Sequence, residues 1–421
     1  MKVRHISTFD VHGGAARAAH RLHVGLCALG IESKMQVAQR ESRDPSIQQL
    51  PGPTSRMEVW RKRLRGWRLA RSLSHFEKTR PAGTEYFSLP WAEHRRDWAS
   101  SLANVDIVHL HWVATLLDYP DFFAALPAHL PLVWTLHDMN PITGGCHYAA
   151  GCERFEQQCG LCPQLGSTRE DDPSRQTWEA KREAYRRRIQ TRTVVVAPSR
   201  WLADQARHSS LFRALRIETV PYGLATDVFA PKDRAAARGV LGLPVEAKVL
   251  LFVSDDLENH RKGGDLLCAT LARLEARSNS DIVCLTLGRG SLNLSASIRQ
   301  MPLGVCGSDP LLAVVYSAAD VFILPSREDN LPNTVLEAMA CGTPSVGFRV
   351  GGVSDMVVEG ETGWLAPPYD TEALAQAVAK VIDQRDGGKA MRAACRDRAV
   401  RQYSLHRQAE DYCRLYDELL R

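Results

Sequence analysis

The segment Ser326–Pro344 has the sequence SREDNLPNTVLEAMACGTP, and it follows the apolar run Val321–Leu324. The apolar run predicts a buried strand, and Thr334–Cys341 has the pattern of a helix, so a polar loop joins strand to helix. Asp329 stands in this loop, eight positions before Glu337 on the first helical turns. In a doubly wound sheet, ligands bind at the carboxyl ends of the strands. The segment therefore predicts a parallel α/β sheet with two carboxylates at a ligand-binding edge.

Strands alternate with helices on both sides of this segment. In the first half, the runs typical of strands are Lys2–Phe9, Met35–Ala38, Asp106–His111, Leu132–Leu136 and Val194–Pro198, and those typical of helices are Ala15–Leu29, Trp178–Ile189 and Trp201–His208. In the second half, the strand runs are Val249–Val253, Ile282–Leu287, Leu303–Cys306, Val321–Leu324 and Pro344–Phe348, and the helix runs are Gly264–Arg277, Asp309–Ala319, Thr334–Cys341 and Thr371–Val381. Such alternation predicts parallel sheets with helices on both faces.

The chain is long enough for two domains of ordinary size. A stretch with proline and glycine, Val220–Gly223, interrupts the alternation and marks a boundary. We expect two doubly wound, Rossmann-like α/β domains that face each other across a cleft, with residues 1–220 in the first and 221–400 in the second. A helix over residues 401–421 is expected to pack back on the first domain.

The composition is that of a globular enzyme. Of the 421 residues, 44% are apolar and 24% are charged, which excludes a collagen-like, a mainly disordered or a disulfide-scaffold protein. No apolar run approaches the ~18 residues that a bilayer-spanning helix needs. The N-terminal sequence MKVRHISTFD has no apolar signal core. We therefore expect a cytoplasmic protein.

Basic residues are concentrated in the first domain. That domain carries 31 lysines and arginines against 22 aspartates and glutamates, whereas the remainder carries 22 against 26. Eight of these basic residues and two glutamates lie in Arg56–Lys78, where Met57, Trp60, Leu64 and Trp67 recur at helical spacing. The pattern suits a helix on the anionic inner face of a membrane, and it suits equally a surface helix whose tryptophans pack on the domain. A nucleic-acid partner is disfavoured, because no recognised nucleic-acid motif accompanies the charge.

Glycines and cations occupy two further junctions between strand and helix. Gly13 and Gly14 follow the first strand, and they are either turn residues or backbone contacts to a phosphate at a helix N-terminus. Arg261 and Lys262 precede a helix in the second half, where their charge suits phosphate oxygens. The glycine pair does not form a G-x-G-x-x-G motif, and no acidic residue for a ribose follows it at the usual distance, which disfavours a dinucleotide oxidoreductase.

Together these motifs resemble those of the group 1 (family 4) retaining glycosyltransferases, whose two domains form the GT-B fold. The matching positions extend over nearly the whole chain and are Gly13-Gly14, His137-Asp138, Pro198-Ser199, Pro221-Tyr222-Gly223, Lys262-Gly263, Asp329–Pro344, Gly351-Gly352 and Glu359–Gly363. The resemblance implies transfer of a sugar from a nucleotide diphosphate sugar to a glycan or lipid-linked acceptor, with retention of anomeric configuration, in polysaccharide or glycoconjugate biosynthesis. It also implies that the first domain binds the acceptor and the second the nucleotide sugar.

The resemblance further implies roles for individual residues. Glu337 corresponds to the carboxylate that binds the ribose of the nucleotide, and Asp329 to the one that holds the donor sugar, where the family usually has glutamate. Lys262 corresponds to the lysine on the diphosphate, and Arg261 is the candidate substitute for a family arginine that this chain lacks. His137 corresponds to a histidine beside the donor sugar and the acceptor, and with Asp329 and Lys262 it is expected to take part in catalysis. Further donor contacts are implied for Gly13, Gly14, Asn330, Leu331, Thr334 and Val335.

The expected chemistry is electrostatic. Cleavage of the anomeric C–O bond leaves negative charge on the diphosphate, and Lys262, a helix N-terminus and the Gly13-Gly14 amides would stabilise it. With that charge met by protein groups, we expect neither a required metal ion nor a covalent nucleophile. Two alternatives stay open. One is another GT-B protein, a nucleotide-sugar epimerase or phosphorylase, and the other is a non-catalytic nucleotide-sugar-binding protein, which the aspartate at position 329 favours.

Four of the eleven cysteines follow His137 in the pattern C-x5-C-x6-C-x2-C, namely Cys146, Cys152, Cys159 and Cys162. In a chain without an export signal, such cysteines indicate a metal site or reduced thiols more than a disulfide framework. A structural zinc ion, with His147 as a spare ligand, and ordinary reduced thiols therefore both stay open. A zinc ion here would order the loop and would take no part in catalysis.

Overall fold

The computed structural model of the protein describes residues 1–186, 192–276, 281–295, 298–384 and 387–421. The chain forms two compact units, one from Met1–Pro221 together with Gln408–Arg421, and the other from Tyr222–Arg407. The sequence-based domain boundary after residue 220 lies one residue before the structural one, and the boundary after residue 400 lies seven residues before it.

The first unit is built on a seven-stranded parallel sheet. Its strands are β1 (Lys2–Phe9), β2 (Glu32–Gln39), β3 (Ile47–Gln49), β4 (Ile107–Leu110), β5 (Leu132–Thr135), β6 (Thr193–Ala197) and β7 (Arg216–Thr219). They lie in the order β3-β2-β1-β4-β5-β6-β7, and every neighbouring pair runs parallel. All residues of β4 and β5 are buried, as expected for central strands of a sheet that is covered on both faces.

Helices of the first unit connect these strands. They are α1 (Gly13–Ala28), α2 (Arg56–Ser74), α3 (Trp98–Ser101), α4 (Tyr119–Ala125), α5 (Pro173–Arg186) and α6 (Arg200–His208). Ser199 caps α6 by accepting a hydrogen bond from the backbone N–H of Leu202 at 3.1 Å, which confirms the helix start that the sequence predicts. A large aromatic cluster with Trp134, Phe122 and Phe212 fills one side of the sheet.

The second unit is built on a six-stranded parallel sheet. Its strands are β8 (Lys248–Asp256), β9 (Ile282–Arg289), β10 (Arg299–Pro302), β11 (Val321–Leu324), β12 (Ser345–Phe348) and β13 (Gly363–Ala366), in the order β10-β9-β8-β11-β12-β13. The helices are α7 (Arg234–Val240), α8 (Gly264–Glu275), α9 (Asp309–Ala318), α10 (Asn333–Ala340), α11 (Val353–Met356), α12 (Thr371–Ile382) and α13 (Lys389–Tyr403). Strand β8 is central, and the order reverses beside it, which is the doubly wound arrangement.

The C-terminal segment differs from the expected single helix over residues 401–421. Helix α13 ends at Tyr403, and a separate helix α14 covers Leu405–Leu420. The break at Ser404 arises because the backbone there is extended and pairs with Leu224, whose N–H donates to the carbonyl of Tyr403 at 2.8 Å. Residues 408–420 of α14, together with Arg421, belong to the first unit. Their apolar face packs in a cluster of buried side chains that comprises Val3, Leu22, Leu26, Ile107, Val133, Val194, Val196, Val220, Ala409, Tyr412, Leu415 and Tyr416.

One predicted strand is misplaced. Residues Leu303–Cys306 form no strand, and the chain is paired just before them, where β10 lies beside β9. Backbone hydrogen bonds to Thr286 and Gly288 of β9 continue through Leu303 and Gly304, and the chain then leaves the sheet because Gly304 takes a φ of +68°, a left-handed conformation that an extended strand does not contain. The predicted ends of two helices, at Ile189 and Arg277, lie outside the described residues. Across the described ranges, no helix combines the length and the apolarity that a bilayer crossing requires.

Candidate active site

The loop after β11 carries the acidic motif and is held against a glycine pair. The N–H of Gly352 donates to the carbonyl of Asp329 at 3.0 Å. Gly351 has a φ of +50°, and a Cβ at this position would lie only 1.9 Å from the same carbonyl oxygen. A residue with a side chain would therefore displace the loop. The glycine pair thus fixes the backbone of Asp329 at the carboxyl end of β11.

The two cations of the motif lie on a short 3-10 turn, His260–Lys262, in front of α8. The side-chain oxygen of Asn259 accepts hydrogen bonds from the N–H groups of Arg261 and Lys262 at 2.9 and 3.3 Å. Gly263 follows with a φ of +73°, and a Cβ there would lie 2.0 Å from the carbonyl oxygen of Pro325. This close approach brings the cationic turn to the end of β11.

Lys262 and Asp329 form an ion pair at this strand end. Nζ of Lys262 donates to Oδ2 of Asp329 at 2.6 Å, and Nη1 of Arg261 lies 3.6 Å from the same oxygen. The hydroxyl of Ser326 donates to it as well, at 3.3 Å. Asp329 is only 5% exposed, and burial by itself would raise the pKa of its carboxyl. The charges of Lys262 and Arg261 outweigh that effect and hold the pKa below its ordinary value.

Arg261 and Arg327 fix the rest of the loop. Nη1 of Arg261 donates to the carbonyl of Glu328 at 2.9 Å, and the N–H of Arg327 donates to the carbonyl of Arg261 at 2.7 Å. The guanidinium of Arg327 donates two hydrogen bonds, of 2.8 and 2.6 Å, to the carboxylate of Asp265. Arg261 therefore lies beside Lys262 at the acidic loop, the place that the sequence comparison proposed for it.

Glu337 lies on α10 and is buried, with 3% of its surface exposed. Its Oε2 accepts a hydrogen bond of 3.0 Å from the hydroxyl of Tyr316 on α9. The sequence reasoning did not select Tyr316, because nothing in the apolar helix around it sets this tyrosine apart. Of the other predicted donor contacts, Asn330, Leu331 and Val335 are buried and Thr334 is partly exposed at the first turn of α10. The backbone N–H groups of a first helical turn have no partners within the helix, so this end of α10 suits an anion.

The predicted glycine pair lies in the first unit, where α1 begins. Gly13 and Gly14 are exposed, and Gly13 has a φ of +80° with open space where a Cβ would be. Asp10 stabilises this turn, because its carboxylate accepts hydrogen bonds from the backbone N–H groups of Val11, Glu41 and Ser42 at 2.8–3.2 Å. A phosphate contact at the glycine pair stays a prediction.

His137 lies just after β5 and is 8% exposed. Its Nε2 is 3.1 Å from Nδ1 of His111, and Nε2 of His111 is 2.9 Å from Nδ1 of His5, so three buried imidazoles form a chain. Burial lowers the pKa of His137 to about 4, although the nearby charge of Asp138 opposes the shift. His137 is therefore neutral at pH 7.

Asp138 organises the loop that follows His137. One carboxylate oxygen accepts hydrogen bonds from the indole of Trp112 at 2.7 Å and from Nδ1 of His147 at 2.6 Å, and the other accepts from the N–H of Asn140 at 2.9 Å. The other ring nitrogen of His147 is 2.8 Å from the hydroxyl of Ser88. Both nitrogens of His147 thus have hydrogen-bond partners, and its role as a spare zinc ligand stays a prediction.

The cysteines that follow this loop are all free thiols, as are the other seven in the chain. Cys146, Cys152, Cys159 and Cys162 line one small cavity of about 20 Å³. Burial raises the pKa of Cys159 to about 12 and raises that of Cys146 further. The described cysteines therefore contain no disulfide, and these four line the same cavity.

The basic segment of the first unit forms α2. A capping box starts the helix, with Ser55 accepting from the N–H of Glu58 while the Glu58 carboxylate accepts from the N–H of Ser55. No residue of α2 is buried. Its large apolar side chains are exposed, by 60% at Met57, 62% at Trp60 and 57% at Trp67. The alternative in which these tryptophans pack on the domain is therefore wrong.

Two doubly wound parallel sheets, one in each unit, are the architecture of the GT-B fold class. The model of the "Glycosyl transferase 4-like domain" matches residues 13–223, and the model of "Glycosyl transferases group 1" matches residues 247–384. The chain belongs to the family of group 1 glycosyltransferases.

Individual proteins similar to this chain fall into two sets. D-inositol 3-phosphate glycosyltransferase 2 of Catenulispora acidiphila is 33% identical over 212 residues, which are 45% of this chain and 49% of that protein. The chain thus matches about half the length of its curated relatives. Sucrose-phosphate synthase of Thermosynechococcus elongatus has a TM-score of 0.66 at 19% identity over 100% of this chain and 99% of its own. Anabaena HepE in complex with UDP-glucose has a TM-score of 0.68 at 14% identity over 99% of this chain and 100% of its own. At such identities the structural likeness shows the fold.

Proposed function

We propose that this protein is a retaining glycosyltransferase that moves a hexose from a nucleotide diphosphate sugar to a glycan or lipid-linked acceptor. The observation that carries the proposal is the ion pair of the half-buried Lys262 with the buried Asp329 at the end of β11, with Arg261 beside it. A diphosphate needs cations at a fixed position, and a sugar hydroxyl needs a carboxylate acceptor. This pair supplies both on one strand end. The UDP-glucose complex of the fold relative HepE supports a donor of this class.

Charge on the departing diphosphate is the main obstacle to the reaction. In our proposal Lys262 and Arg261 neutralise part of it, and the first turn of α10 adds backbone N–H groups directed at the same phosphates. Because these protein groups stabilise the leaving group, the proposed reaction requires no divalent cation. The acceptor oxygen attacks from the face of the leaving group and passes its proton to the diphosphate, so the anomeric configuration is retained.

Asp329 and Glu337 have separate roles in this proposal. Asp329 accepts hydrogen bonds from the donor sugar, and it reaches about one methylene less far than the glutamate usual in the family. Glu337 accepts hydrogen bonds from the ribose and is oriented by the hydroxyl of Tyr316. His137, neutral at pH 7, is suited to a hydrogen bond with a sugar hydroxyl more than to proton removal, because its pKa of about 4 makes it a weak base.

The acceptor side of the proposal is a lipid-linked glycan at an anionic membrane surface. Met57, Trp60 and Trp67 share one outward stripe of α2, and Arg56, Arg61, Arg63 and Arg68 flank that stripe. Tryptophan suits the headgroup region of a bilayer, and arginine is attracted to anionic lipids. Helix α2 would thus hold the first unit at the inner face of the membrane, where a lipid-linked acceptor is found.

Donor binding and turnover test the proposal together. Thermal-shift measurements with UDP-, GDP-, ADP- and dTDP-sugars should identify one that raises the melting temperature, because a bound donor stabilises the folded state. That donor should then be hydrolysed or transferred, with the released sugar in its original anomeric form, in the presence of a chelator. Asp329→Ala should abolish turnover, whereas Asp255→Ala, which changes an exposed carboxylate paired with Arg289 in the same unit, should not. Binding without turnover would instead favour a non-catalytic nucleotide-sugar-binding protein, and no shift with any donor would contradict both.

A further inference from the structure

The loop between β5 and α5 is long and has little regular structure. Over residues 136–172 it contains three short 3-10 turns, Asn140–Ile142, Arg154–Glu156 and Pro163–Leu165. Loops of this length in compact domains need a source of order beyond backbone pairing. The four cysteines of the C-x5-C-x6-C-x2-C motif all belong to this loop.

We propose that Cys146, Cys152, Cys159 and Cys162 bind one structural zinc ion. The four side chains approach the same cavity from three separate stretches of the loop. The cavity volume of about 20 Å³ is room for a single particle the size of a water molecule. Four thiolates are the ligand set of closed structural zinc sites, and an iron–sulfur cluster with the same ligands would need more space. The proposal does not depend on glycosyl transfer.

Backbone N–H groups donate hydrogen bonds to two of the sulfurs. The N–H of Gly144 donates to Sγ of Cys159 at 3.1 Å, and the backbone groups of Gln164 and Leu165 provide hydrogen bonds to the thiol of Cys162. Such N–H···S contacts from the residues around a C-x2-C pair stabilise negative charge on metal-bound sulfur. Each thiol releases its proton to solvent when its sulfur binds the ion, and no electrons are exchanged.

Tight packing fixes the backbone around the sulfurs. A Cβ at Gly144 would lie 2.6 Å from Cβ of Cys159 and 2.9 Å from its sulfur. Between the two cysteines of the C-x2-C pair, Gly160 has a φ of +136° and Leu161 a φ of +47°. A leucine in the left-handed region is uncommon and strained. The loop therefore holds an unfavourable backbone conformation between the two cysteines of the C-x2-C pair, beside the cavity that all four cysteines line.

A buried cation lies beside the cluster. Lys181 on α5 is fully buried, and its Nζ donates to the backbone carbonyls of Asn140 and Thr143. It is close enough to Cys146 and Cys159 to interact electrostatically with both. A zinc ion with four thiolates carries two negative charges, and the ammonium of Lys181 offsets one of them. Buried lysines occur where such a partner exists.

The zinc ion would stabilise the loop that carries Asp138. Cys146 directly precedes His147, whose ring donates to the carboxylate of Asp138. Asn140 receives a hydrogen bond from Lys181 and donates its own backbone N–H to Asp138. Loss of the ion should therefore loosen the segment next to His137 while leaving both sheets intact.

Metal content of the full chain tests the proposal. We expect protein purified without a polyhistidine tag to contain about one zinc ion per chain by inductively coupled plasma mass spectrometry. Addition of Co2+ after removal of the metal should give the visible absorption of a tetrahedral thiolate site, and zinc should abolish that absorption. This second measurement uses the unmodified protein, so it stands even where a variant fails to fold.

Variants locate the ion. Cys152→Ser and Cys159→Ser should each lower the zinc content at least tenfold after dialysis, and should lower the melting temperature. The matched control, Cys413→Ser, changes a partly exposed thiol on α14 and should retain the zinc. Folded, metal-free protein in which all four thiols react with a thiol reagent would overturn the proposal. So would mass spectrometry that detects disulfides within residues 146–162.

Discussion

Nζ of Lys262 lies 2.6 Å from Oδ2 of Asp329, although the two residues are separated by 67 positions. The contact is possible because two glycines lack side chains. Gly263 lets the turn with Lys262 approach the carbonyl of Pro325, and Gly351 leaves room for the carbonyl of Asp329. In the absence of donor, the cation and the carboxylate neutralise each other. A diphosphate that binds Lys262 would release the Asp329 carboxylate, which could then accept hydrogen bonds from the donor sugar.

Replacing Lys262 by methionine should destabilise the protein and impair catalysis. We expect the free energy of unfolding to fall by about 3 kcal/mol, because the buried carboxylate of Asp329 loses its nearest partner. Arg261 at 3.6 Å limits the loss. Removal of a group that stabilises the leaving group should also lower kcat by about 100–1,000-fold. Urea unfolding followed by tryptophan fluorescence and steady-state kinetics measure the two effects.

A double-mutant cycle separates the ion pair from other effects of the substitution. In the double variant Lys262→Met/Asp329→Asn neither member of the Lys262–Asp329 pair is left without the other, so it should be less destabilised than the sum of the single variants. Lys34→Met removes an exposed lysine 3.9 Å from Glu32 and should leave stability nearly unchanged. Strict additivity in the cycle would show that the pair contributes nothing.

Tyr316→Phe should weaken donor binding more than it slows the reaction. The substitution removes the hydrogen bond of 3.0 Å to Glu337, and a hydrogen bond to a charged group contributes about 1.5 kcal/mol or more, so the donor KM should rise about tenfold. A matched control is Tyr403→Phe in the same unit, which removes a hydroxyl bonded to the carbonyl of Asp355. It should lower stability to a similar extent but leave the donor KM unchanged. An equal KM change in both variants would contradict an orienting role for Tyr316.

Stability should fall as the pH is lowered from about 6.5 toward 4. Burial lowers the pKa of His23 and of His137 to about 4 in the folded chain, whereas an unfolded histidine titrates near 6.5. The unfolded state therefore binds more protons than the folded state in this range. The folded state keeps its full stability relative to the unfolded state above about pH 6.5 and loses part of it as the pH falls toward 4. Each such histidine contributes a slope of about 1.4 kcal/mol per pH unit.

His23→Gln tests this dependence at one site. Glutamine can keep a hydrogen bond to Ser33 or Ser46, which His23 contacts at 2.7 Å, but it does not titrate. The free energy of unfolding, measured at several pH values between about 4 and 6.5, should therefore change less steeply with pH than in the wild type. The slope should be smaller by about 1.4 kcal/mol per pH unit, which corresponds to about one proton. The control His129→Gln changes an exposed histidine and should leave the slope unaltered. Identical slopes in wild type and His23→Gln would contradict the assignment.

Much of the second unit could be predicted from the sequence because its signals are local. Strand β11 is an unbroken apolar run, and the polar loop and α10 follow within a few residues, so Asp329 and Glu337 could be assigned to one edge of a sheet. The same periodicity misplaced β10, since an apolar run in Leu303–Cys306 outweighed the turn signal of Gly304. Local pattern identifies elements well and their ends poorly.

Partners from distant parts of the chain could not be predicted. Tyr316 on α9 donates a hydrogen bond to Glu337 on α10, and no feature of the α9 sequence distinguishes this tyrosine. Lys181 lies on a helix with several other charged residues, and nothing in the sequence sets it apart, yet the fold buries it completely, close enough to Cys146 and Cys159 to interact electrostatically with both. Such contacts depend on how the helices pack on the sheet. The hydrophobic pattern of a single segment carries no information about that packing.

Helix α2 should bind vesicles that contain anionic lipid. Its exposed Trp60 and Trp67 would enter the headgroup region, and the flanking arginines each contribute about 1 kcal/mol near an anionic surface. We therefore expect Arg63→Gln and Arg68→Gln each to weaken binding to phosphatidylglycerol vesicles about fivefold, and Trp60→Ser to weaken it at every salt concentration. Co-sedimentation and tryptophan fluorescence measure this binding. Arg213→Gln, an exposed arginine elsewhere in the unit, should have no effect. Electrostatic attraction is screened within about 10 Å at 0.1 M salt. Equal binding to neutral and anionic vesicles, or binding that is not weakened by high salt, would therefore contradict a contribution of the arginines to membrane binding.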